Sequence, residues 1–516
     1  MRIAGLLAEG ETMTADAVDV CVIGSGASGS MVAYEIAQSG LRVLLLEAGQ
    51  ALPPDASLAS VQSRMDTELV RSAAGTLTPF GRPWTVCALG GGMTLYAGIA
   101  FRYRIIDFDA RAHTAGDALD PAWPIDYAEL RPFYEELERR TGVARLAGAD
   151  RLEPPSDPPI LPPHEYSTQG RLIADAAKRL GRLPFPTPLA INSLPYRNRP
   201  ACHCDGPCNE HLCPTGARAD ARSPFTDVTL PPGALTVAPG SRAVSIDLAS
   251  VSRADSVEWL DTLSRRRARV RARCVVLAGN AVQSAALLLR SRQRAAPNGI
   301  GNASGMVGGG ISFKISGYVS GSTRIDQLST PPSGGPFSTV AISDHYLDDE
   351  VPSGLGGMIY EASGAQPTGH HGETNVRLHF LAADQPMRNN AVRLAASRDR
   401  LGLEKIILDY STHPLDKRRL GYLSRRASSL LAEAGVEKVD YQDSGYQFGS
   451  GHLHGGCRAG IDPAQSVVDR WGRVHDIDNL YVADGGFFPY AGGVNPTFTI
   501  QANALRIARR IVTQLI

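Results

Sequence analysis

The sequence predicts a mixed α/β chain, α+β overall, in which a parallel-sheet domain is interrupted by an inserted antiparallel-sheet domain. Three observations predict it. Residues 18–47 read as a buried strand, a glycine turn, a helix and a second buried strand ending in an acid. Runs such as FKISGYVSGSTRI, TVAISDHYL and NVRLHFLA, within 310–440, alternate apolar and polar residues as a half-solvated antiparallel sheet does. Beyond them, VVDRWGRV and NLYVAD return to the pattern of the parallel-sheet domain.

The first unit is the most specific. Val18, Val20, Val22 and Ile23 form an apolar run suited to a buried parallel strand. Gly24, Gly26 and Gly29 follow with the spacing G-x-G-x-x-G, interleaved with Ser25, Ala27 and Ser28. Such glycines permit a tight turn, close approach of the backbone to a pyrophosphate, and close helix–strand packing. The helix after them, from Ser30 to Gln38 and ended by Gly40, aims its N-terminal N–H groups at phosphates. Leu41–Leu46 is the second strand, and Glu47 follows where a carboxylate can bind both ribose hydroxyls and repel a 2′-phosphate. A Rossmann-like, dinucleotide-binding domain is expected. This unit alone does not separate nicotinamide from flavin.

The remaining elements follow in order. A second glycine cluster, Gly90, Gly91 and Gly92, opens the run GGGMTLYAG. Residues 121–145 carry a helical stripe of Leu130, Phe133, Tyr134 and Leu137. A proline-rich linker spans 154–163, and residues 235–277 alternate in short β-like runs that end in CVVLAGN. Ala281–Leu289 is a helix. NLYVADG is a further strand, placing Asp484 and Gly485 at its C-terminal end, the edge where α/β sheets hold ligands. Asn495 suits a helix N-cap with Pro496 at the first helical position and Thr497 next. The expected division is 1–165, 225–309 and 445–516 for the three parts of the nucleotide domain, 166–224 for a cysteine-containing linker or cap, and 310–444 for a substrate domain.

Composition narrows the function classes. The chain has 516 residues, 43% hydrophobic and 20% charged, with 52 basic and 52 acidic residues. Zero formal net charge offers no electrostatic footprint for nucleic acid or a membrane surface. No apolar run approaches the roughly 18 residues a membrane span requires. The N-terminal residues, with one arginine and early acids, read as neither a signal peptide nor a twin-arginine leader, so a cytoplasmic protein is expected.

Two histidines, His452 and His454, stand in HLHGGC. A neutral imidazole can take the proton of an alcohol, and an amide such as Asn495 can hold the alcohol oxygen without competing as a base. The opposing readings are a structural histidine in a glycine-rich turn and simple helix capping by Asn495. Of eight cysteines, Cys202, Cys204, Cys208 and Cys213 cluster with the spacing C-x-C-x3-C-x4-C. An iron–sulfur cluster, a zinc staple, and a disulfide or plain thiols all remain open, the last preferred.

GSGASG with Glu47, LGGGMTLYAG, LAGNAVQSAALLLRS, HLHGGC and VADGGFFPYAGGVNPTFTI together resemble the glucose–methanol–choline (GMC) flavoprotein oxidoreductases, in order and across most of the chain. The resemblance implies FAD in a split domain and alcohol oxidation by hydride transfer to flavin N5. It implies His452 as the catalytic base with Asn495 as its partner. It also implies cofactor contacts at the residues of both glycine clusters, Glu47, Val244, Gly279, Asp484, Gly485, Asn495, Pro496 and Thr497. Where many members have an asparagine after the second glycine cluster, this chain has Tyr96 or Ala97. Outside these motifs, AGIAFRYRIIDFD, FPTPLAIN, GPFSTVAISDHYLDDEVPSGLGGMIYE and GHLHGGCRAGIDPAQSVVDRWGRVHD are similar to the flavoprotein 6′-dehydrogenases (oxidases) of aminoglycoside-antibiotic biosynthesis. That likeness implies oxidation of the 6′-hydroxymethyl of a paromamine-type intermediate to an aldehyde, with dioxygen as a candidate acceptor. Ammonium groups on such a substrate call for nearby carboxylates and aromatics. Asp344 and Glu361, each joining a strand to a turn, are the preferred acids, and Tyr346 and Tyr360 the aromatics, with His454 a further substrate candidate. Asp348, Asp349 and Glu350 read instead as a solvated turn. The alternative function is a sugar or polyol dehydrogenase passing electrons through an iron–sulfur cluster to a partner subunit.

Overall fold

The computed structural model describes residues 14–54, 56, 61, 68–72, 75–80, 86–203, 208–325, 335–362, 373–443 and 451–516. Three sheets organise them. The largest is seven-stranded. Thr14–Ile23 pairs in parallel with Val43–Glu47 on one side and Arg267–Leu277 on the other. Leu235–Pro239 adds beyond Val43–Glu47, and Leu480–Val482 pairs with Arg267–Leu277, both in parallel. The strands Ser241–Ser250 and Arg253–Asp261 extend the sheet antiparallel.

Burial explains the pattern. Val43–Glu47 is buried at every position, and Val20, Cys21 and Val22 are fully enclosed. Arg267–Leu277 alternates exposed arginine with buried residues in its outer half, then becomes uniformly buried as Cys274–Leu277 enters the core. The helix Ala27–Ala37 packs on Thr497–Leu515, whose Phe498, Ala502, Leu505, Ala508 and Ile511 face inward, and Tyr127–Thr141 packs on that same C-terminal helix. The expected elements at the two ends of the chain are thus present, in one sheet.

The second sheet is six-stranded and antiparallel, in the order 437–443, Ile315–Arg324, Glu373–Ala382, Gly357–Glu361, Val340–Ile342, Pro184–Pro186. Its alternation has a different cause from the half-solvated sheet expected. Ile315, Val319, Val376, Leu378, Phe380 and Ile359 face one way, onto Ile173 and Ala177 of the helix Thr168–Arg179 and Leu423, Ala427 and Leu430 of Pro414–Glu433. The other face carries Ser316, Tyr318, Tyr360 and His379, and these line a cavity against the first sheet. Both faces are covered. The 20-residue helix inside the region read as sheet starts with Pro414 after His413, whose ring accepts from Leu415 N–H. The 166–224 segment supplies a helix and an edge strand to this layer. A small third sheet joins Ala391–Arg398 and Glu404–Asp409 to Glu68–Arg71 and Leu77–Phe80.

The first turn tolerates little change. A Cβ on Gly29 would lie 1.8 Å from the Gly24 carbonyl oxygen, a backbone atom with no room to move. Gly29→Ala should therefore lower the melting temperature of the FAD-free protein, at a cost of about 2 kcal/mol or more. Unchanged thermal unfolding by circular dichroism would show that the turn relaxes.

Candidate active site

A cavity of about 360 Å³ runs between the first sheet and the cavity-facing side of the second. At one end are Gly24, Ser25, Gly26, Ala27, Ser28 and Glu47; the C-terminal part of the chain contributes His452, Asp484, Gly485, Asn495, Pro496 and Thr497.

The glycine turn is built for close approach. Gly24 has φ +100°, and a Cβ there would lie 2.4 Å from the Ala278 carbonyl oxygen. Gly26 lines the cavity, and a Cβ on it would meet no protein atom within 4 Å, so the space beside it is open to a ligand. Gly26 precedes the helix Ala27–Ala37 without any side-chain cap, leaving its first-turn N–H groups for an anion. Glu47 ties three elements together. Its Oε2 accepts from Ser25 N–H (2.9 Å) and Ser25 Oγ–H (2.6 Å), and its Oε1 accepts from Gly49 N–H (2.8 Å). Gly90 N–H donates to Ser25 Oγ (2.9 Å), and a Cβ on Gly91 would lie 2.9 Å from Gly26 Cα. The two glycine clusters therefore abut across backbone.

Not every expected contact reaches the cavity. Gly91, Gly92 and Gly279 line it, whereas Gly29 and Gly90 support the wall from behind. The Val244 side chain packs on Leu260 and Leu403, and its strand presents Arg242 and Ala243 to the cavity. Asp484 accepts from Ser284 Oγ–H (2.6 Å) and Gly486 N–H (2.8 Å), and burial raises its carboxyl to about 6.

The histidine segment is threaded between three backbones. His454 exchanges both backbone hydrogen bonds with Ser312, Gly455 N–H donates to Gly485 O (3.1 Å), and Cys457 N–H to Gly486 O (3.2 Å). Gly455 has φ +75°, and a Cβ on it would meet the Gly310 carbonyl oxygen at 2.1 Å, which explains a glycine there. The segment delivers His452 to the cavity. Burial, then the charge of Lys314, then His379 push its pKa well below the usual histidine value, so the ring is a neutral acceptor. His454 is buried away from the cavity wall, its Nε2 3.5 Å from Tyr103 Oη and its ring against Phe488.

Asn495 does not cap the last helix. Pro496 occupies that position and the helix begins at Thr497, which releases the Asn495 side chain. Its Nδ2 lies 3.4 Å from His452 Nε2 and 3.4 Å from Tyr360 Oη, while its Oδ1 is buried without a partner among the described residues.

The substrate candidates from the second sheet are mostly committed elsewhere. Tyr346 Oη–H donates to Asp107 and accepts from Gly493 N–H (2.7 Å), holding the loop before Asn495. Glu361 is fully enclosed and accepts from Thr339 N–H (2.7 Å), Thr339 Oγ1–H and Ser167 Oγ–H. Asp344 accepts from Leu183 N–H (3.1 Å). None of the three lines the cavity; Tyr360 does. Sequence reasoning missed Tyr318, His379, Ser316 and Phe337 in the wall. The alternation that puts Ser316 and Tyr318 on one face was the available signal.

The cysteine segment has a structural part in the site. Arg218 donates to the carbonyls of Thr94 (2.7 Å), His211 (2.7 Å) and Cys208, and Glu210 N–H donates to Leu95 O (2.7 Å). These bonds dock the segment on the second glycine cluster and place Asn209 and Glu210 in the cavity wall. Cys208 and Cys213 are free thiols, and Cys204 lies outside the described residues. Among the described residues no group of His, Cys, Asp or Glu is arranged to hold a metal ion, so the iron–sulfur reading gains no support. No helix among them is long and apolar enough to cross a membrane.

A glycine-cradled turn, an acid at the end of the second strand and a histidine–amide pair in one cavity are the arrangement of a dinucleotide-dependent oxidoreductase. Comparison identifies the dinucleotide as FAD: residues 19–155 match the family described as FAD dependent oxidoreductase, and residues 386–504 match GMC oxidoreductase. Paromamine 6′-oxidase of Streptomyces fradiae is 44% identical over 96% of this chain and 92% of its own length. The 6′′′-hydroxyparomomycin C oxidase of Streptomyces lividus is also 44% identical, over 98% and 93%. The fructose dehydrogenase large subunit of Gluconobacter japonicus is 26% identical over 98% and 99%. Among solved structures, the fold is similar to pyridoxine 4-oxidase from Mesorbium loti (TM-score 0.65, 21% identity, 96% and 99% covered). It is also similar to formate oxidase of Aspergillus oryzae RIB40 (TM-score 0.69, 17% identity, 97% and 99% covered). The chain belongs to the GMC oxidoreductase family and is an FAD-dependent alcohol oxidoreductase.

The cavity histidines make an acid prediction. Burial and the charge of Arg377 push His379 down to about 3. An unfolded histidine titrates near about 6.5, so between these values only the unfolded chain binds the proton. Stability from this residue is present above the window and falls as pH drops through it, by about 1.4 kcal/mol per pH unit. The stability difference between wild type and His379→Gln should shrink with that slope between pH 6 and 4 in denaturant titrations. A pH-independent difference would contradict the assignment.

Proposed function

We propose that the protein oxidises the 6′-hydroxymethyl group of a paromamine-type aminoglycoside intermediate to the aldehyde, with dioxygen as the electron acceptor. The observation that carries this reading is the 44% identity with paromamine 6′-oxidase across nearly the whole chain, joined to a His452–Asn495 pair facing one cavity. His452 Nε2 takes the hydroxyl proton, and Asn495 Nδ2 donates a hydrogen bond to the same oxygen. Their 3.4 Å separation allows one alcohol oxygen to contact both. Neutrality of His452 is what lets it act as base, a contribution of roughly 10²–10⁴-fold. FAD held along the glycine turn and Glu47 would supply the hydride acceptor that the oxidation of the alcohol carbon needs. The residues proposed to hold it are Gly24 to Ser28, Glu47, Gly91, Gly92, Gly279, Asp484, Gly485, Pro496 and Thr497.

The ammonium groups of such a substrate need a carboxylate. Among the described residues three carboxylates line the cavity, and two accept hydrogen bonds from serine and backbone groups, Glu47 and Asp484. Glu210 makes no ion pair among the described residues, and its backbone is pinned at φ +65° to Leu95. We assign it the substrate ammonium, in place of Asp344 and Glu361. A cytoplasmic location belongs to the same proposal and is checked by cell fractionation.

His452→Ala should retain FAD and lose at least about 10²-fold in kcat on paromamine, measured by oxygen uptake. Near-normal turnover would remove His452 as base. Glu210→Gln should raise KM for paromamine with kcat unchanged and abolish the weakening of substrate binding by salt that screening of an exposed ion pair produces. Wild-type KM and salt dependence in that variant would rule Glu210 out. Paromamine should be preferred to glucose in kcat/KM; equal values at low salt would reject the amino-sugar assignment.

A further inference from the structure

The cavity-facing side of the second sheet carries an aromatic row that the proposed chemistry has not used. Tyr318, His379 and Tyr360 are direct cross-strand partners on three adjacent strands, Tyr318 opposite His379 and His379 opposite Tyr360. Their rings lock one another. His379 stacks on Tyr318 at 4.4 Å between centroids and 17° between planes, and meets Tyr360 edge-on at 5.0 Å. Arg377 lies over the Tyr318 ring at 4.6 Å. The row ends at Asn495: Tyr360 Oη is 2.6 Å from His379 Nδ1 and 3.4 Å from Asn495 Nδ2.

We propose that Tyr360 and His379 form a positioning dyad that sets which end of the Asn495 amide faces His452. A tyrosine hydroxyl has one proton to donate. If it goes to His379 Nδ1, the short contact of the pair, the oxygen can only accept toward Asn495. The amide must then turn its NH₂ to Tyr360, and the same NH₂ lies 3.4 Å from His452 Nε2. The donor end of the amide thus stands beside the base, where an alcohol oxygen needs a donor. With the hydroxyl proton turned the other way, the amide carbonyl would face the base and repel that oxygen. The low pKa of His379 keeps its ring neutral throughout the neutral range, and in the tautomer protonated at Nε2 its Nδ1 accepts the tyrosine proton. Its ring cannot rotate away while Tyr318 and Tyr360 hold both its face and its edge. The orphaned Asn495 Oδ1 fits this order, since no donor among the described residues pulls the amide the other way.

The inference rests on the proposed roles of His452 and Asn495, and its test separates the two. In the FAD-loaded full-length protein, Tyr360→Phe keeps the ring row and removes one oxygen. Its kcat on paromamine should fall about 10- to 100-fold, with FAD content, KM and melting temperature at wild-type levels. The primary isotope effect with a 6′-deuterated substrate should rise, which a purely structural loss would not cause. His379→Leu should match that fall, and the double variant should be no slower than Tyr360→Phe alone, since the two residues act as one unit. His379→Asn, whose side-chain oxygen can replace Nδ1 as acceptor, should recover most of the rate. Wild-type kcat in Tyr360→Phe, or independent multiplying losses in the double variant, would overturn the dyad. Should His379→Leu fail to fold, Tyr360→Phe and His379→Asn decide between the same outcomes. Asn495→Ala distinguishes the levels: an unaffected rate there overturns the catalytic pair and the dyad together, whereas a slowed Asn495→Ala beside an unaffected Tyr360→Phe overturns the dyad alone.

Discussion

The site depends on one constraint, the immobilisation of the backbone between Asp484 and Thr497 by side chains buried behind it. Lys314, fully enclosed, donates through Nζ to the carbonyls of Ala491 and Gly492, the latter at 2.6 Å. Tyr103 Oη–H donates to Ala491 O, and Tyr346 Oη accepts from Gly493 N–H. Asp107 in turn accepts from Tyr346. A loop of glycines has many backbone states to lose, and three buried side chains remove that freedom one carbonyl or N–H at a time. Asn495 reaches His452 only because the residues just before it have nowhere else to go.

The same lysine shapes the electrostatics. Burial brings Lys314 down to about 7, with Asp107 and Asp384 working in the opposite direction. Its charge then disfavours protonation of both His452 and His454, after burial itself. The group that anchors the loop therefore also adds to the burial that keeps both imidazoles neutral. Carboxylates around the cavity are handled differently, by hydrogen bonds from serine and backbone donors, as at Glu47 and Asp484.

Much of this was legible in the sequence where spacing alone encodes geometry. G-x-G-x-x-G with Glu47, the glycines after His454, and the strand at Leu480–Val482 each announce a backbone requirement that few residues satisfy. Side-chain partners across long separations were not legible. Tyr346 in a turn-rich segment reads equally as a ligand aromatic or a loop anchor, and its partner Asp107 is 239 positions away. Glu361 likewise reads as an exposed strand end until Thr339 and Ser167 enclose it. The helix Pro414–Glu433 escaped because its arginines and serines dilute the apolar stripe of Leu423, Ala427, Leu430 and Leu431 that the second sheet buries. Asn495 illustrates a subtler limit. Its sequence context suits a cap, and only the later start of the helix at Thr497 frees its amide.

The central claim is that His452 and Asn495 bracket a single alcohol oxygen. A crystal structure of the FAD-loaded His452→Ala protein would lose one bracket, so the direct measurement is the structure of the wild-type protein with FAD and paromamine under anaerobic conditions. The account predicts the 6′-oxygen within hydrogen-bond reach, about 2.6–3.2 Å, of both His452 Nε2 and Asn495 Nδ2. A paromamine whose 6′-oxygen lies away from either atom, with an amine or a ring hydroxyl in its place, would contradict it.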